Sequence, residues 1–337
     1  MSGASLSCGK RAVGLMALLA ATGCAWLPAP DPVTLDEPRY DVGEARPARW
    51  ALVLSSGAMR GFAHVGALRE LEAAGLVPDL IVGTSSGAIV GALAASGLGG
   101  EELERAAMKI GRDVFVDWTL PYTGLVGGRG IHAFVDRHAR LHRIEDFPIR
   151  FAAVSVEAEG GCLQVFNAGD PGKAVQASST VPVLLAPAEI SSKRYLDGGL
   201  ISPVPVRVAR LLGAKRVVAI DVTFNPAERP FLNIADAFWR STLVMHHALA
   251  LNEALEADLV IAPRLPPESG ISLANRRAAM ESGARAVRDA VPAIRKLIDD
   301  DGSARIPFAG HALAALACGA VRDSLQSVPR QSGDGGR

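Results

Sequence analysis

Asp79-Leu80-Ile81-Val82-Gly83-Thr84-Ser85-Ser86-Gly87 decides how this chain is read. An apolar run, Leu80 to Val82, leads into Gly83-Thr84-Ser85-Ser86-Gly87. Ala88-Ile89-Val90 follow with the composition of a buried helix. The pattern is G-x-S-x-G between a predicted strand and a predicted helix, where a sharp turn lifts a serine hydroxyl clear of the backbone. Small residues must flank that serine because the turn is tight. The helix N-terminus beyond it favours negative charge. Centring the pattern on Ser86 would put Thr84 and Ala88 at the glycine positions, so Ser85 is the candidate nucleophile.

Outward from this turn, strand and helix signals alternate. Trp50–Leu54 is a buried-strand run, and Phe62, Val65, Leu68 and Leu71 follow at helical spacing until Gly75 and Pro78 stop the helix. Ser86–Ser96 is apolar all round and reads as a buried helix, and Glu101–Ile110 as an amphipathic one. Val114–Gly130, aromatic and glycine-rich, reads as a loop or flap. Phe151–Glu157 and Cys162–Asn167 flank Gly160-Gly161 as a hairpin. A short helix over Lys173–Ser179 and short strands either side of Ser191-Ser192-Lys193 come next. They are followed by a helix over Val204–Leu212 and a strand over Arg216–Val222. The body closes with helices over Ile234–Leu255 and Asn275–Ile298, with a strand over Asp258–Ala262 between them. Alternation of this kind predicts an α/β fold with a mainly parallel central sheet covered on both faces.

The chain has 337 residues, 49% apolar and 21% charged, which is the composition of a globular protein with room for a large core. The formal net charge is zero and there is no basic block, so nothing points to nucleic acid. Residues 1–23 read as a signal peptide: Lys10-Arg11 precede an apolar stretch, Ala12 to Thr22, too short to span a bilayer. The stretch ends in Ala21-Thr22-Gly23-Cys24, similar to the lipobox of bacterial lipoproteins, which implies a lipid anchor on Cys24. Ala25 after the cysteine is not the aspartate that retains many lipoproteins at the inner membrane. The expectation is therefore the bacterial cell envelope, at the outer membrane facing the periplasm. Residues 24–48 are a proline-rich tether, 49–300 the folded body and 301–337 a tail expected to be partly disordered. Cys162, in a strand-like run, and Cys318, near the tail, are read as two separate thiols.

A serine nucleophile needs a proton acceptor and donors for the oxyanion. Ser55-Ser56-Gly57-Ala58-Met59-Arg60-Gly61 joins the first strand to the first helix. In a parallel sheet it falls at the same edge as Ser85. Backbone N–H groups of this loop suit an oxyanion, with Arg60 nearby. Downstream, Asp197-Gly198-Gly199 is by itself most often only a turn.

Taken together, these residues resemble the patatin-like phospholipases, most closely the bacterial members. Those carry G-G-G-x-[RK]-G, then G-x-S-x-G, then D-G-[GA]. This chain shows Ser56-Gly57-Ala58-Met59-Arg60-Gly61, Gly83-Thr84-Ser85-Ser86-Gly87 and Asp197-Gly198-Gly199 in that order. The resemblance covers about residues 50 to 225 well, and loosely to about 298. It implies a three-layer αβα sandwich and a serine acyl-ester hydrolase of phospholipase A, lysophospholipase or esterase type, with no cofactor and no metal. It implies Ser85 as nucleophile and Asp197 as general base of a dyad working through an acyl-enzyme. Gly57 and Ala58 would form the oxyanion hole, and Arg60 would hold the loop. The substrate class it implies is phospholipid or another fatty-acyl ester.

Two of the family's loop glycines are Ser56 and Ala58 here. If those positions need positive φ, each Cβ costs about 1 kcal/mol or more. That motivates a rival reading, a weak or inactive scaffold that binds lipids or a partner protein. His246, His247 and His311 keep open a Ser–His–Asp esterase in the order serine, acid, histidine. His138 and His142, four apart on an expected helix with His132 and Asp136, read as a polar helix face rather than zinc ligands.

Overall fold

The first strand, β1 (Ala48–Leu54), is buried along almost its whole length and sits inside the sheet. The computed structural model describes residues 46–111, 114, 127–226, 234–265 and 273–300. All lie in the larger of two compact units, Thr34–Arg337. The signal peptide, Cys24, the tether up to residue 45, most of the expected flap and the 301–337 tail lie outside the described residues.

After β1 come α1 (Phe62–Ala73), β2 (Leu80–Thr84), α2 (Ser86–Ala95), α3 (Gly100–Met108) and α4 (Arg129–His138). Then come β3 (Arg150–Glu157), β4 (Cys162–Phe166), α5 (Pro171–Ser178), β5 (Ala188–Ile190) and β6 (Lys193–Asp197). The chain continues through α6 (Val206–Leu211), β7 (Ala214–Ile220), α7 (Ile234–Ala254), β8 (Leu259–Ile261) and α8 (Leu273–Asp299). The sheet order is β5-β6-β3-β2-β1-β7-β8, with β4 also paired to β3. The stretch β3-β2-β1-β7-β8 is parallel, and the β4, β5 and β6 pairings are antiparallel.

The two-residue period of the strands sorts the layers. Ala51 and Val53 of β1 and Val82 of β2 pack with Val206, Val208 and Ala209 of α6 and Ala250 of α7 on one face. The other face takes α2, where a Cβ on Gly91 would stand 3.0 Å from Ile81 and 3.3 Å from Leu54. The fold is the three-layer α/β sandwich that the alternation predicts, with a mixed but mostly parallel sheet. Trp50, fully buried, satisfies its indole N–H on the Val77 carbonyl at 3.0 Å.

Two expectations are corrected. The helix expected to carry His132, His138 and His142 ends at His138, because Ala139 turns extended (φ −64°, ψ 140°). His138 and His142 therefore share no helix face. His138 donates to the Phe134 carbonyl at 2.8 Å, His142 pairs with Asp136 at 3.1 Å and His132 meets Asp170 at 3.3 Å. Cys162 is disulfide-bonded and not a separate thiol.

Helices α1 and α8 touch backbone to backbone. A Cβ on Gly66 would fall 1.7 Å from the Met280 carbonyl oxygen, and one on Gly283 2.0 Å from that of Ala63. Neither position can be filled without moving a helix. Gly66→Ala is expected to cost about 3 kcal/mol, lowering Tm by roughly 6–12 °C in thermal unfolding. Gly75→Ala, where φ is +68° but nothing lies within 4 Å, should cost only about 1 kcal/mol. Equal losses at the two positions would contradict this account of the α1–α8 contact.

Candidate active site

The register of β3 brings two strand ends together. Gly83 and Thr84 of β2 pair with Ala153 and Val154, which also pair with Phe166 and Val165 of β4. Ser155 pairs with Gln164 of β4 and with Asp197 of β6. A strand has two edges, so β2 and β6 share the edge that β4 does not occupy. They run in opposite senses, and their C-terminal ends meet at adjacent residues of β3. Ser85 leaves the end of one and Asp197 is the end of the other. Gly198 shows how close the junction is: a Cβ there would stand 2.2 Å from the Val154 carbonyl oxygen and 3.1 Å from the Thr84 methyl.

Ser85 occupies the strained turn that G-x-S-x-G predicts, with φ 55° and ψ −120°. A non-glycine residue there costs about 1–3 kcal/mol and persists only where its surroundings hold it. Its N–H donates to Ser178 Oγ at 2.9 Å, and that hydroxyl donates to the Val154 carbonyl at 2.6 Å. Its carbonyl accepts from Ala88 and Ile89 as α2 begins. The flanking glycines are set by close approach. A Cβ on Gly83 would lie 2.5 Å from the Gly87 oxygen, and one on Gly87 2.2 Å from the Leu54 oxygen.

The Asp197 carboxylate faces the Ser85 hydroxyl, close enough for that hydroxyl to favour its charged form. Asp197 Oδ1 accepts from the Gly199 N–H at 2.7 Å, and the Asp197 N–H donates to the Thr180 carbonyl at 2.8 Å. Asp197 is 6% exposed. Burial pushes its carboxyl up to about 6 from an ordinary 3.8, against Ser85 and the Gly199 N–H, which pull it down. It is mostly ionised at pH 7.

The loop from Ser55 to Gly61 faces this pair. A Cβ on Gly57 would stand 2.8 Å from both the side chain and the carbonyl oxygen of Val222, so only glycine fits. Ala58 takes φ 49°, the left-handed conformation whose cost the sequence anticipates, and opens a short 3₁₀ turn, Ala58–Gly61. Arg60 is buried, with its guanidinium 4.9 Å from the centre of the Phe224 ring. Gly61 abuts the start of α2, where its Cβ would meet that of Ser86 at 2.6 Å. Ser56 Oγ lies 2.8 Å from His246 Nε2.

Between the loop and Ser85 opens a cavity of about 360 Å³. Phe62, Val65, Ile89, Val90, Ile110 and Ile131 line its depth, and Ala58, Met59 and Ser85 also border it. Its walls are almost wholly apolar, and its size falls in the usual range for small-molecule sites.

One histidine borders the site: a Cβ on Gly199 would lie 3.0 Å from Asp197 Oδ1 and 3.2 Å from His246 Nε2. His64 is fully buried, bonds the Ser55 carbonyl at 2.9 Å through Nε2 and is pushed down to about 4 by burial, so it is neutral. His246 meets Ser56, not Ser85, and His311 lies outside the described residues. Among the described residues no group of three or more His, Cys, Asp or Glu could hold a metal ion.

Sequence reasoning missed the supports. Ser178 holds the Ser85 N–H, and Ser202 receives the Thr84 hydroxyl on its carbonyl at 2.9 Å. Glu253 joins Ser202, and His246 joins Ser56, through bonds spanning 51 and 190 residues. No local pattern announces such partners.

Burial of Asp197 has a pH signature. Its folded value is raised, so the native state binds the extra proton between about pH 4 and 6. Its contribution to stability is full below pH 4 and is lost as pH rises through about 6, a loss of roughly 3 kcal/mol. Urea unfolding from pH 4 to 7 should show this decline in the wild type, and Asp197→Asn should remove that part of it. An unchanged slope in the variant would contradict the raised carboxyl.

The patatin-like phospholipase family model matches residues 52–210, a span that includes Ser85 and Asp197. Mouse patatin-like phospholipase domain-containing protein 6 is 33% identical over 180 residues, 51% of this chain and 13% of that protein. An uncharacterized NTE family protein of Mycobacterium bovis is 32% identical over 228 residues, 65% of this chain and 39% of that one. The chain thus matches well under half the length of either relative. The crystal structure of VipD from Legionella pneumophila shares the fold, with a TM-score of 0.51 at 11% identity over 81% of this chain and 73% of that one. Family model and relatives together support the patatin-like phospholipase family for this chain.

Proposed function

We propose that the protein is a serine acyl-ester hydrolase acting on phospholipid, lysophospholipid or related fatty-acyl esters through a Ser85–Asp197 dyad. One observation carries the reading: the strand register sets Ser85 beside the buried Asp197 carboxylate, and Ser85 also borders an apolar cavity of about 360 Å³. In the first half-reaction Ser85 Oγ attacks the ester carbonyl and its proton passes to Asp197. The tetrahedral oxyanion takes hydrogen bonds from the backbone N–H groups of Gly57 and Ala58, and the α2 N-terminus adds a favourable field. Asp197 then returns the proton to the departing alcohol. Water, deprotonated by Asp197, cleaves the acyl-enzyme. The cavity takes the acyl chain, whose burial supplies binding free energy. A lipid anchor on Cys24 would keep this site beside its substrate at the membrane.

A non-catalytic lipid-binding scaffold is the second reading, and Ala58 favours it. A left-handed alanine in the oxyanion loop stores about 1–2 kcal/mol where the family pattern has glycine. Turnover separates the two readings. Ser85→Ala and Asp197→Asn are each expected to lower ester hydrolysis by at least about 1,000-fold, while His64→Ala and His247→Ala keep most of it. A folded wild type that binds fatty acid yet hydrolyses no ester in a lipid panel would favour the scaffold. Loss of turnover on changing a single histidine, with the fold intact, would overturn the dyad.

A further inference from the structure

Glu253 is the buried acid for which the dyad reading has no use. It sits near the end of α7 at 3% exposure. Its Oε1 accepts from Ser202 Oγ at 2.6 Å and its Oε2 from the Val204 N–H at 3.0 Å. Both partners belong to the segment that leaves Asp197 and leads into α6. That same segment is tied to the other two parts of the site. The Ser202 carbonyl accepts from Thr84 Oγ1 at 2.9 Å, one residue before Ser85. The Pro203 carbonyl accepts from the Ser56 N–H at 2.9 Å, one residue before Gly57. The Ser202 N–H closes back on the Gly198 carbonyl, also at 2.9 Å. One short loop therefore spaces base, nucleophile and oxyanion donors, and Glu253 grips it from the far side. His246, seven residues earlier and so on the same helix face, adds the bond to Ser56 Oγ.

We infer that Glu253 is a positioning residue, which sets the distance between Ser85, Asp197 and the oxyanion loop by fixing residues 198–204; the inference rests on the proposed dyad. Stability alone explains a buried carboxyl poorly, because a well-packed apolar side chain commonly does as well or better. Burial pushes the Glu253 carboxyl up to about 8, against Ser202, the Val204 N–H and Arg207, which pull it down, with Glu256 adding to the rise. It is thus largely a neutral acid at pH 7. Glutamine has the same shape and can make both bonds, donating to Ser202 Oγ and accepting from Val204.

The test compares wild type, Glu253→Ala, Glu253→Gln, Ser202→Ala and Ser85→Ala as full chains. Hydrolysis of p-nitrophenyl butyrate is measured at a temperature where thermal unfolding shows each protein folded. Glu253→Ala should lower kcat by about 10- to 100-fold with KM within about two-fold, since a misplacement near 1 Å acts on the transition state. Glu253→Gln should stay within about three-fold of wild type, and Ser202→Ala, which loses one bond only, should fall by roughly 3- to 10-fold. A folded Glu253→Ala with wild-type kcat would overturn the inference while Ser85-dependent turnover left the dyad standing. If Glu253→Ala does not fold, a wild-type kcat in Ser202→Ala overturns it. Turnover that survives Ser85→Ala overturns the dyad and this inference together.

Discussion

The site depends on one edge of one strand. β3 pairs along that edge first with β2 and then, without a gap in register, with the oppositely running β6. Strands that share an edge end to end bring their termini within bonding distance, and here both termini are C-terminal. The Ser85 turn begins where β2 stops, and Asp197 is where β6 stops. The geometry leaves little slack: Gly198 has room for hydrogen alone against Val154, and Ser178 spans from the Val154 carbonyl to the Ser85 N–H. A backbone ladder is a rigid ruler, with about 3.3 Å between successive residues. The serine–aspartate distance is thereby fixed more firmly than side chains on loops would fix it.

What surrounds the junction sets the energetics of the proposed chemistry. Asp197 is buried enough to rise to about 6, yet Ser85 and the Gly199 N–H hold it low enough to stay mostly ionised at pH 7. Ser56 looks like a loss when set against a glycine-rich loop. In the fold it supplies the hydroxyl that bonds His246, something glycine could not do, and its N–H ties the loop to Pro203. Ala58 is different, since its φ of 49° is strain with no new bond to offset it. The two substitutions that look alike in sequence therefore act in opposite directions on the same loop.

The nucleophile turn was legible because all its requirements are local. Gly83 and Gly87 are dictated by contacts within a few residues or with the neighbouring β1, and the strand–turn–helix order is written in composition. The α/β layering was legible for the same reason, as strands buried on both faces read as continuous apolar runs. The sequence does not show that β6 runs back along β3, since register between distant strands leaves no local trace. Nor does it show that Glu253 faces Ser202, because a glutamate in a long helix ordinarily faces water. The disulfide of Cys162 and the early end of α4 at Ala139 escaped for similar reasons: neither a cysteine's oxidation nor a single backbone torsion leaves a local pattern.

The dyad turns on a Ser85 hydroxyl made nucleophilic by the buried Asp197 carboxylate. Its most direct measurement is the pH dependence of covalent labelling by a fluorophosphonate, read by peptide mass spectrometry. One adduct is expected, on the peptide carrying Ser85. Its rate should rise with pH through an apparent value near 6 and collapse in Asp197→Asn. An adduct on another residue, or a Ser85 rate unmoved by Asp197→Asn, would contradict it.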